Sequence, residues 1–166
     1  MIDIRKFKME ECGEFITNQL ADINDFELLI LKGHILVEYM LNCYLESISN
    51  IKDSDFFREK LTFSMKLNMA RHFGELGNKE ENINQEVQLL NKLRNDIAHN
   101  LSYNEKHLSE FYSHLGKKNT RFKSSDVFEN EFEKFKSSIL FLCGAIFTAY
   151  KLNTDKEDVD NYLKET

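Results

Sequence analysis

The stretch that decides the fold is Phe26–Ser49, which reads FELLILKGHILVEYMLNCYLESIS. Asn24 or Asp25 can cap this stretch, and the pattern then predicts one helix that ends at about Ser49. Apolar side chains occupy most of its circumference, which is typical of a helix in the middle of a fold. A narrow polar seam runs along it, made of Glu27, His34, Glu38, Asn42 and Glu46. The seam is either the solvated stripe of a central helix or, in part, the lining of a cleft.

Composition indicates a chain built from helices. The 166 residues include no proline and 6 glycines, whereas average usage would give about 8 and about 12. β-Sandwiches and β-barrels depend on turns that are rich in these two residues, so their scarcity argues against both folds. The 14 Phe and 6 Tyr argue against disorder. We therefore expect an all-α, up-down antiparallel bundle of four to five main helices.

The length fits a single domain, because domains cluster around 100–150 residues and rarely split below about 250. We expect one domain over residues 1–166, with a flexible, solvated acidic tail from about residue 154. Other helices are predicted at 10–21, 56–76, 83–98 and 107–115, followed by a last long helix from Ser125 or Asp126. The second half of that last helix, ILFLCGAIFTAY, is apolar nearly all round. It must be buried within the bundle or against a second copy.

Several sequence features predict a cytoplasmic location. Cys12, Cys43 and Cys143 are far apart and odd in number, so we expect buried free thiols in a reducing compartment. The N-terminal MIDIRKFKMEEC is charged and lacks the apolar core of a signal peptide. The longest stretch without a charge, residues 137–150, has 14 residues, fewer than the roughly 20 that span a bilayer. No membrane association is predicted.

One charged residue interrupts the apolar row of the fourth predicted helix. Ile83, Val87, Leu90 and Ile97 form the row, and the position that continues it is Arg94. An arginine on this row is expected to be partly buried, and a buried charge is costly unless it is paired or used. Arg94 is therefore the main departure from helix-packing expectations in the chain.

Arg94 begins the segment Arg94-Asn95-Asp96-Ile97-Ala98-His99, which carries a cation, an amide and a titratable imidazole. Asn95 and His99 share a helix face, whereas Arg94 and His99 are about 140° apart. Asn100 is predicted as a left-handed residue that ends the helix, which puts His99 at the negative end of the helix dipole. Histidine transfers protons near neutral pH and arginine can hold the extra charge of a phosphorane. The set therefore suits phosphodiester cleavage without a metal.

The same segment has an alternative, purely structural interpretation. Asp96 can orient the imidazole of His99, or it can face solvent. Arg94 can be ion-paired and His99 can cap the helix. An arginine and a histidine five residues apart also occur by chance in many helices, so the chemistry alone leaves both interpretations open.

The segment resembles the R-x4-6-H motif, in its R-N-x-x-x-H form, of the HEPN superfamily of small helical proteins. Leu29–Ile48 is similar to the long second helix of that superfamily. Leu61–Leu76, LTFSMKLNMARHFGEL, is similar to the following F-x-x-K-x-x-x-A helix of several bacterial branches. The three segments, in this order, cover about residues 24–104.

The resemblance implies an up-down helical bundle, usually a homodimer, in which two such motifs meet in a cleft at the interface. Many of these proteins are metal-independent endoribonucleases of toxin–antitoxin, antiviral (phage) defence and RNA-processing systems, in which the RNA 2′-hydroxyl attacks the adjacent phosphate. His99 would then be the acid/base, Arg94 the phosphate stabiliser and Asn95 the polar residue that often follows the arginine. Further candidates for supporting roles are Asp96, His34, Glu38 and Tyr103.

Two branches of the superfamily lead to different expectations. One continues the motif as H-x-Y and is paired with a nucleotidyltransferase antitoxin; here the next tyrosine is Tyr103, four residues after His99. The mannitol-operon-repressor-like branch is similar in the same helices and is associated with regulation. The alternative to an RNA-cleaving enzyme is therefore a non-catalytic regulator, or a module that binds a partner or a nucleotide.

The net charge of −6 differs from the basic surface that is usual for a nucleic-acid binder. The local candidate for RNA binding is the basic cluster, defined as Lys117, Lys118, Arg121 and Lys123. His107 and His114 lie nearby in sequence, and Tyr103, Tyr112 and Phe122 are available for base stacking; the alternative is a solvated loop. No metal-ligand spacing or phosphate-binding glycine loop occurs in the sequence, so no metal or other cofactor is predicted.

Overall fold

Seven α-helices form the part of the chain that the computed structural model describes, which is residues 3–51, 55–58, 60–74, 76, 82–123 and 127–165. They are α1 (Met9–Leu20), α2 (Phe26–Ile48), α3 (Phe63–Phe73), α4 (Asn84–Asn100), α5 (Glu105–Lys118), α6 (Glu131–Thr154) and α7 (Lys156–Glu165). Short 3-10 turns lie at Ile4–Lys6 and Thr120–Lys123. Within these ranges there is no β-strand, and the predicted all-α bundle is confirmed.

Short polar side chains set where several helices begin. Asp25 caps α2, since its Oδ1 accepts a 2.7 Å hydrogen bond from the Leu28 N–H. Thr62 caps α3 by accepting from the Met65 N–H, so this helix begins later than the predicted residue 56. The cap of α6 is Asn130, which accepts from the Glu133 N–H. The start predicted at Ser125 or Asp126 lies outside the described residues.

α2 lies at the centre of the bundle and packs against α1, α3, α4 and α6. Its fully buried side chains include Leu29, Ile30, Val37, Met40, Leu41 and Tyr44. Burying an aliphatic or aromatic side chain contributes roughly 1.5–3 kcal/mol. The apolar stretch Phe26–Ser49 therefore supplies a large share of the core.

The apolar second half of α6 is buried within the chain. Leu142, Cys143, Ile146 and Phe147 are all buried, and α6 packs against α1, α2 and α7. Of the two predicted possibilities for this segment, burial within the bundle is the one observed. The apolar character of α6 therefore does not require a second copy.

A glycine allows α2 and α6 to approach closely. A Cβ at Gly33 would lie 2.7 Å from Cδ1 and 2.8 Å from Cγ1 of Ile139, which is too close for two carbon atoms. Gly33 is buried in the middle of α2, where glycine costs helix stability relative to alanine. The residue is used here for packing and not for a turn.

Contacts near both ends of two packed helices show whether the helices run in the same direction or in opposite directions. Phe26 contacts Phe135 at 5.3 Å between ring centroids, and Asn153 donates to Ser47, so α2 and α6 run parallel. α3 also runs parallel to α2, because Phe63 contacts His34 and Gly74 lies beside Tyr44. α4 runs antiparallel to α2, since Asn91 contacts His34 and Tyr103, just beyond α4, contacts Phe26. The bundle is all-α as predicted, but the consecutive helices α2 and α3 are parallel, so the predicted up-down antiparallel order of four to five helices is not the order observed.

The turn between α4 and α5 has a left-handed residue one position later than predicted. Leu101 has φ 60° and ψ 14°, and its N–H donates to the Ile97 carbonyl at 3.0 Å. Asn100 is still part of α4, so the prediction that Asn100 takes the left-handed conformation is wrong. A positive φ is uncommon for a residue other than glycine. Sequence patterns therefore do not predict the left-handed conformation at Leu101.

The residues after 154 form a packed helix where a solvated acidic tail was expected. Val159 of α7 is buried. The ammonium of Lys151 binds Asp155 at 3.3 Å and Asp158 at 3.1 Å, and Asp158 also accepts a hydrogen bond from the Met9 N–H. Asp155 and Asp158 therefore have partners in α6 and at the start of α1, which the local composition does not reveal.

Two helices are long and apolar enough, by length and composition, to cross a membrane. They are α2 and α6, and 67% and 50% of their most apolar windows are buried inside the fold. Central helices of water-soluble bundles have the same composition. Cys12, Cys43 and Cys143 are free and buried, as predicted.

Candidate functional site

A polar cavity of about 300 Å³ opens between α2, α3 and α4. Its lining is formed by His34, Glu38, Thr62, Phe63, Ser64, Asn91, Arg94 and Asn95. Two of these residues, His34 and Glu38, belong to the polar seam of α2. The predicted alternative in which part of the seam lines a cleft is therefore the arrangement observed.

Arg94 is exposed at this cavity, so the expectation that it is partly buried is wrong. From Leu90 to the end of α4 the buried side chains are Leu90, Leu93 and Ile97, which leaves Arg94 at the margin of the buried stripe. Its Nη1 donates to Asn95 Oδ1 at 3.1 Å. No carboxylate in the described ranges forms an ion pair with it, so the guanidinium remains available for an anion.

His34 forms the buried wall of the cavity and is only 5% exposed. Its Nε2 lies 3.1 Å from Asn91 Oδ1, and its ring lies 4.3 Å from that of Phe63. Burial lowers the pKa of His34 below its ordinary value, and this effect outweighs the hydrogen bond to Asn91 and the charge of Glu38. The imidazole is therefore neutral at pH 7, with Nε2 as the donor and Nδ1 as the unprotonated nitrogen.

A buried lysine holds the acidic residue of the cavity. Lys66 of α3 is buried, and its Nζ lies 2.7 Å from Glu38 Oε1. The pair joins α3 to α2 and fixes the position of the Glu38 side chain in the cavity that His34 also lines. Among the described residues that line the cavity, Arg94 is the one cationic side chain, and it is not part of this ion pair.

His99 lies just outside the cavity that Arg94 and Asn95 line. It is exposed in the last turn of α4, one turn beyond Asn95 on the same face, which is about 6 Å along the helix. It makes no hydrogen bond or ion pair with any residue that the structure describes. Within one chain, the arginine and the histidine of the motif are therefore neighbours but do not share one cavity.

Asp96 is bound to α5. Its Oδ2 lies 2.7 Å from His107 Nδ1 and accepts a second hydrogen bond, at 3.2 Å, from the Asn104 N–H. The possibilities that Asp96 orients His99 or faces solvent are therefore both wrong. Tyr103 is half-buried against Phe26, where it stabilises the start of α2.

The basic cluster lies at the other end of α4. Lys117 and Lys118 line a second cavity together with Gln85 and Glu86, and Glu86 is eight residues, or about 12 Å, from Arg94 along α4. The structure therefore does not bring the basic cluster together with the motif.

The aromatic residues near the basic cluster are packed into the fold. Phe122 is buried and stacks on Phe128, whose ring also lies under the guanidinium of Arg121 at 5.1 Å. The ring of Tyr112 is covered by the Lys134 ammonium at 4.4 Å, and burial raises the pKa of its hydroxyl. The expectation that Phe122 and Tyr112 are available for base stacking is therefore wrong.

Several residues that line the cavity could not be recognised as site residues from the sequence, although the sequence holds a signal for some of them. In the F-x-x-K-x-x-x-A pattern, Phe63 contacts His34, Lys66 binds Glu38 and Ala70 is fully buried. The pattern thus marks the face of α3 that packs on the polar seam. Asn91 had no comparable signal, since an asparagine three residues before an arginine is common in helices.

Searches against protein-family models, curated proteins and solved structures found no match for this chain. In the described ranges no group of three or more His, Cys, Asp or Glu side chains is placed to hold a metal ion. The groups that the described lining of the cavity offers are a guanidinium without an ion pair, a neutral imidazole, a paired carboxylate, and hydroxyl and amide groups.

Proposed function

We propose that this protein is a metal-independent endoribonuclease of the HEPN type. The observation that carries the proposal is the exposed guanidinium of Arg94, which has no carboxylate partner in the described part of the chain and lies at a polar cavity. An exposed histidine, His99, follows one turn beyond that cavity on the same helix. A cation and a proton-transfer group are the two functions that metal-independent cleavage of a phosphodiester requires.

In the proposed reaction the RNA 2′-oxygen attacks the adjacent phosphorus and the bond from phosphorus to the 5′-oxygen breaks. The products are a 2′,3′-cyclic phosphate and a 5′-hydroxyl. His99 transfers the proton between these oxygens, and Arg94 stabilises the charge of the phosphorane. Asn95 accepts a hydrogen bond from Arg94 and so orients the guanidinium.

The proposal includes a homodimer, because one chain leaves His99 outside the cavity of Arg94. An apolar stripe on α2 supplies a surface for the second copy: Leu28 and Ile35 are 53% and 59% exposed, and Leu31 lies between them. This stripe is next to His34 on the same helix. A twofold dimer through α2 would therefore bring two copies of the motif near each other.

We further propose a cytoplasmic location and a role as a toxin or defence effector, which an antitoxin or a nucleotidyltransferase would control. Three buried free thiols fit a reducing compartment. The role as a toxin or defence effector depends on the ribonuclease activity, whereas the location does not.

The second candidate is a non-catalytic regulator or nucleotide-binding module, related to mannitol operon repressors. The position of His99 outside the cavity favours it, because Arg94 can then bind a phosphate without any proton transfer. The two candidates differ in one observable, which is whether RNA is cut.

The experiment that tests the proposal is an RNA cleavage assay with the purified protein in excess EDTA. We expect cleavage with cyclic-phosphate and 5′-hydroxyl ends, and no cleavage of DNA of the same sequence, because DNA lacks the 2′-hydroxyl. Activity that EDTA abolishes and magnesium restores would contradict the mechanism. Intact RNA under all conditions, with nucleotide binding that depends on Arg94, would favour the second candidate.

A further inference from the structure

The cavity that Arg94 lines contains an imidazole from a different helix. His34 of α2 is one of the lining residues, whereas His99 is not. Asn91, which contacts His34, comes three residues before Arg94 on α4, so the two α4 side chains share a face and lie about 4.5 Å apart along the helix axis. A phosphate bound by Arg94 would therefore lie beside His34.

One ring nitrogen of His34 is available to a ligand. Nε2 lies 3.1 Å from Asn91 Oδ1, and Nδ1 forms no hydrogen bond with any residue that the structure describes. The buried side-chain atoms that lack both a partner and accessible surface belong to other residues, so Nδ1 retains some accessible surface. The polar cavity is the open space that His34 lines. Nδ1 is therefore an acceptor that a ligand in this cavity can reach.

The surroundings of His34 favour a neutral imidazole. Burial is the largest effect and lowers its pKa; the charges that act on the ring come from Glu38 on α2, Lys66 on α3 and Arg94 on α4. Glu38 raises the pKa, whereas the two cations lower it further. A general base must be unprotonated before the reaction, and this is the state of His34 at pH 7. Contacts with Asn91 and Phe63 fix the orientation of the ring.

We propose that His34 is the general base of the cleavage reaction and accepts the proton of the RNA 2′-hydroxyl at Nδ1. The 2′-oxygen forms its bond to phosphorus, the bond from phosphorus to the 5′-oxygen breaks, and His99 donates a proton to that leaving oxygen. Proton exchange with water then returns both imidazoles to their starting states. His99 suits the acid role, because it lies in the last turn of α4, where the helix dipole favours an imidazolium. The inference rests on the proposed ribonuclease activity and divides its proton transfer between two histidines.

The test is the pH dependence of RNA cleavage, measured in excess EDTA for the native chain and for His34→Gln. Glutamine keeps an N–H donor for Asn91 but cannot take up a proton. We expect kcat to fall at least about a hundredfold in the variant, with KM unchanged. The native rate should fall in acid as His34 becomes protonated, and the profile of the variant should lack this acid limb. His72→Gln, at an exposed histidine of α3, is the matched control and should keep the native rate and profile.

Asn91→Asp is a second test, which keeps the imidazole and stands even if His34→Gln fails to fold. A carboxylate beside Nε2 raises the pKa of His34, so the acid limb should move to higher pH by about one unit or more. A histidine with a purely structural role would leave the limb where it is. An unmoved limb in folded Asn91→Asp, or native cleavage by folded His34→Gln, would overturn the inference and leave the ribonuclease proposal intact. A native chain that cuts no RNA would overturn both.

Discussion

The carboxylate of Asp96 lies 2.7 Å from Nδ1 of His107, so the acidic residue inside the R-x4-6-H segment is joined to α5 and not to the motif histidine. The same carboxylate accepts from the Asn104 N–H at the start of α5. Asp96 therefore fixes the antiparallel packing of α4 and α5. Through that packing it holds the C-terminal turn of α4, where His99 lies.

This arrangement predicts that Asp96 acts on stability more than on chemistry. Asp96→Ala should lower the free energy of unfolding by about 1–3 kcal/mol, the usual cost of leaving a partly buried polar partner unsatisfied. His107→Ala should cost a similar amount, and the double variant should cost less than the sum, because both changes remove one interaction. Urea denaturation measures these values. If the losses in the free energy of unfolding were additive, the contact between Asp96 and His107 would contribute nothing to stability.

The close approach of α2 and α6 predicts opposite effects for two glycines. Gly33→Ala should destabilise the protein by about 1–3 kcal/mol, because the new methyl group overlaps Ile139 in the core. Gly144→Ala is the matched control within α6, since nothing lies within 4 Å of its Cβ position. It should stabilise the protein by about 0.5–1 kcal/mol through helix propensity. Thermal unfolding of Gly33→Ala and Gly144→Ala tests this prediction. If both variants were more stable than the native protein, the close contact between Gly33 and Ile139 would be contradicted.

The buried position of His34 predicts a loss of stability in mild acid. Burial lowers its pKa in the folded chain below the ordinary 6.5, so the unfolded chain binds the proton more readily. The stability that neutral His34 contributes is fully present above about pH 6.5 and is lost as the pH falls. The free energy of unfolding then falls by at most about 1.4 kcal/mol per pH unit for one proton.

The variant His34→Gln isolates this effect, because glutamine keeps an N–H donor for Asn91 and does not titrate. Urea denaturation between pH 7.5 and 5.5 should show a smaller loss of stability in the variant than in the native protein. Parallel curves would mean that His34 is already protonated, or is accessible to water, in the folded state.

The apolar stripe on α2 predicts where the proposed dimer would form. Ile35→Glu should convert the protein to a monomer, because it places a charge at the centre of the proposed interface. Leu163→Glu, at an equally exposed apolar residue of α7, should leave the dimer intact. Light scattering at micromolar concentration measures the mass. A native protein that is already monomeric would contradict the composite site.

The helices could be predicted from the sequence because apolar spacing and capping residues act over one or two turns. Asp25 is an example, since its cap on Leu28 depends only on local geometry. The polar seam of α2 was also visible, because a few polar residues on an otherwise apolar helix must face something other than the core.

The exposure of Arg94 could not be predicted in this way. The helical spacing of apolar residues in α4 predicts that the buried row continues from Leu90 to Arg94. In the structure, the neighbouring helices cover the side of α4 that carries Leu93 and Ile97. Which side is covered depends on how α4 crosses α2, and that crossing is a tertiary property. The pairing of Asp96 with His107 likewise depends on the left-handed turn at Leu101.

The central claim is tested most directly by RNA cleavage with the variants Arg94→Ala and His99→Ala. Arg94 and His99 are both exposed and carry no ion pair in the described ranges, so neither change should unfold the protein, and thermal unfolding checks this. His72→Ala, at an exposed histidine of α3, is the matched control. Asn95→Ala should have a milder effect, since one neutral hydrogen bond is worth about 1 kcal/mol.

We predict that Arg94→Ala and His99→Ala each reduce cleavage by at least about a hundredfold, the usual scale for an acid/base or a charge-stabilising group. His72→Ala should keep the native rate. A folded, dimeric His99→Ala protein that cleaves RNA as fast as the native protein would contradict the account.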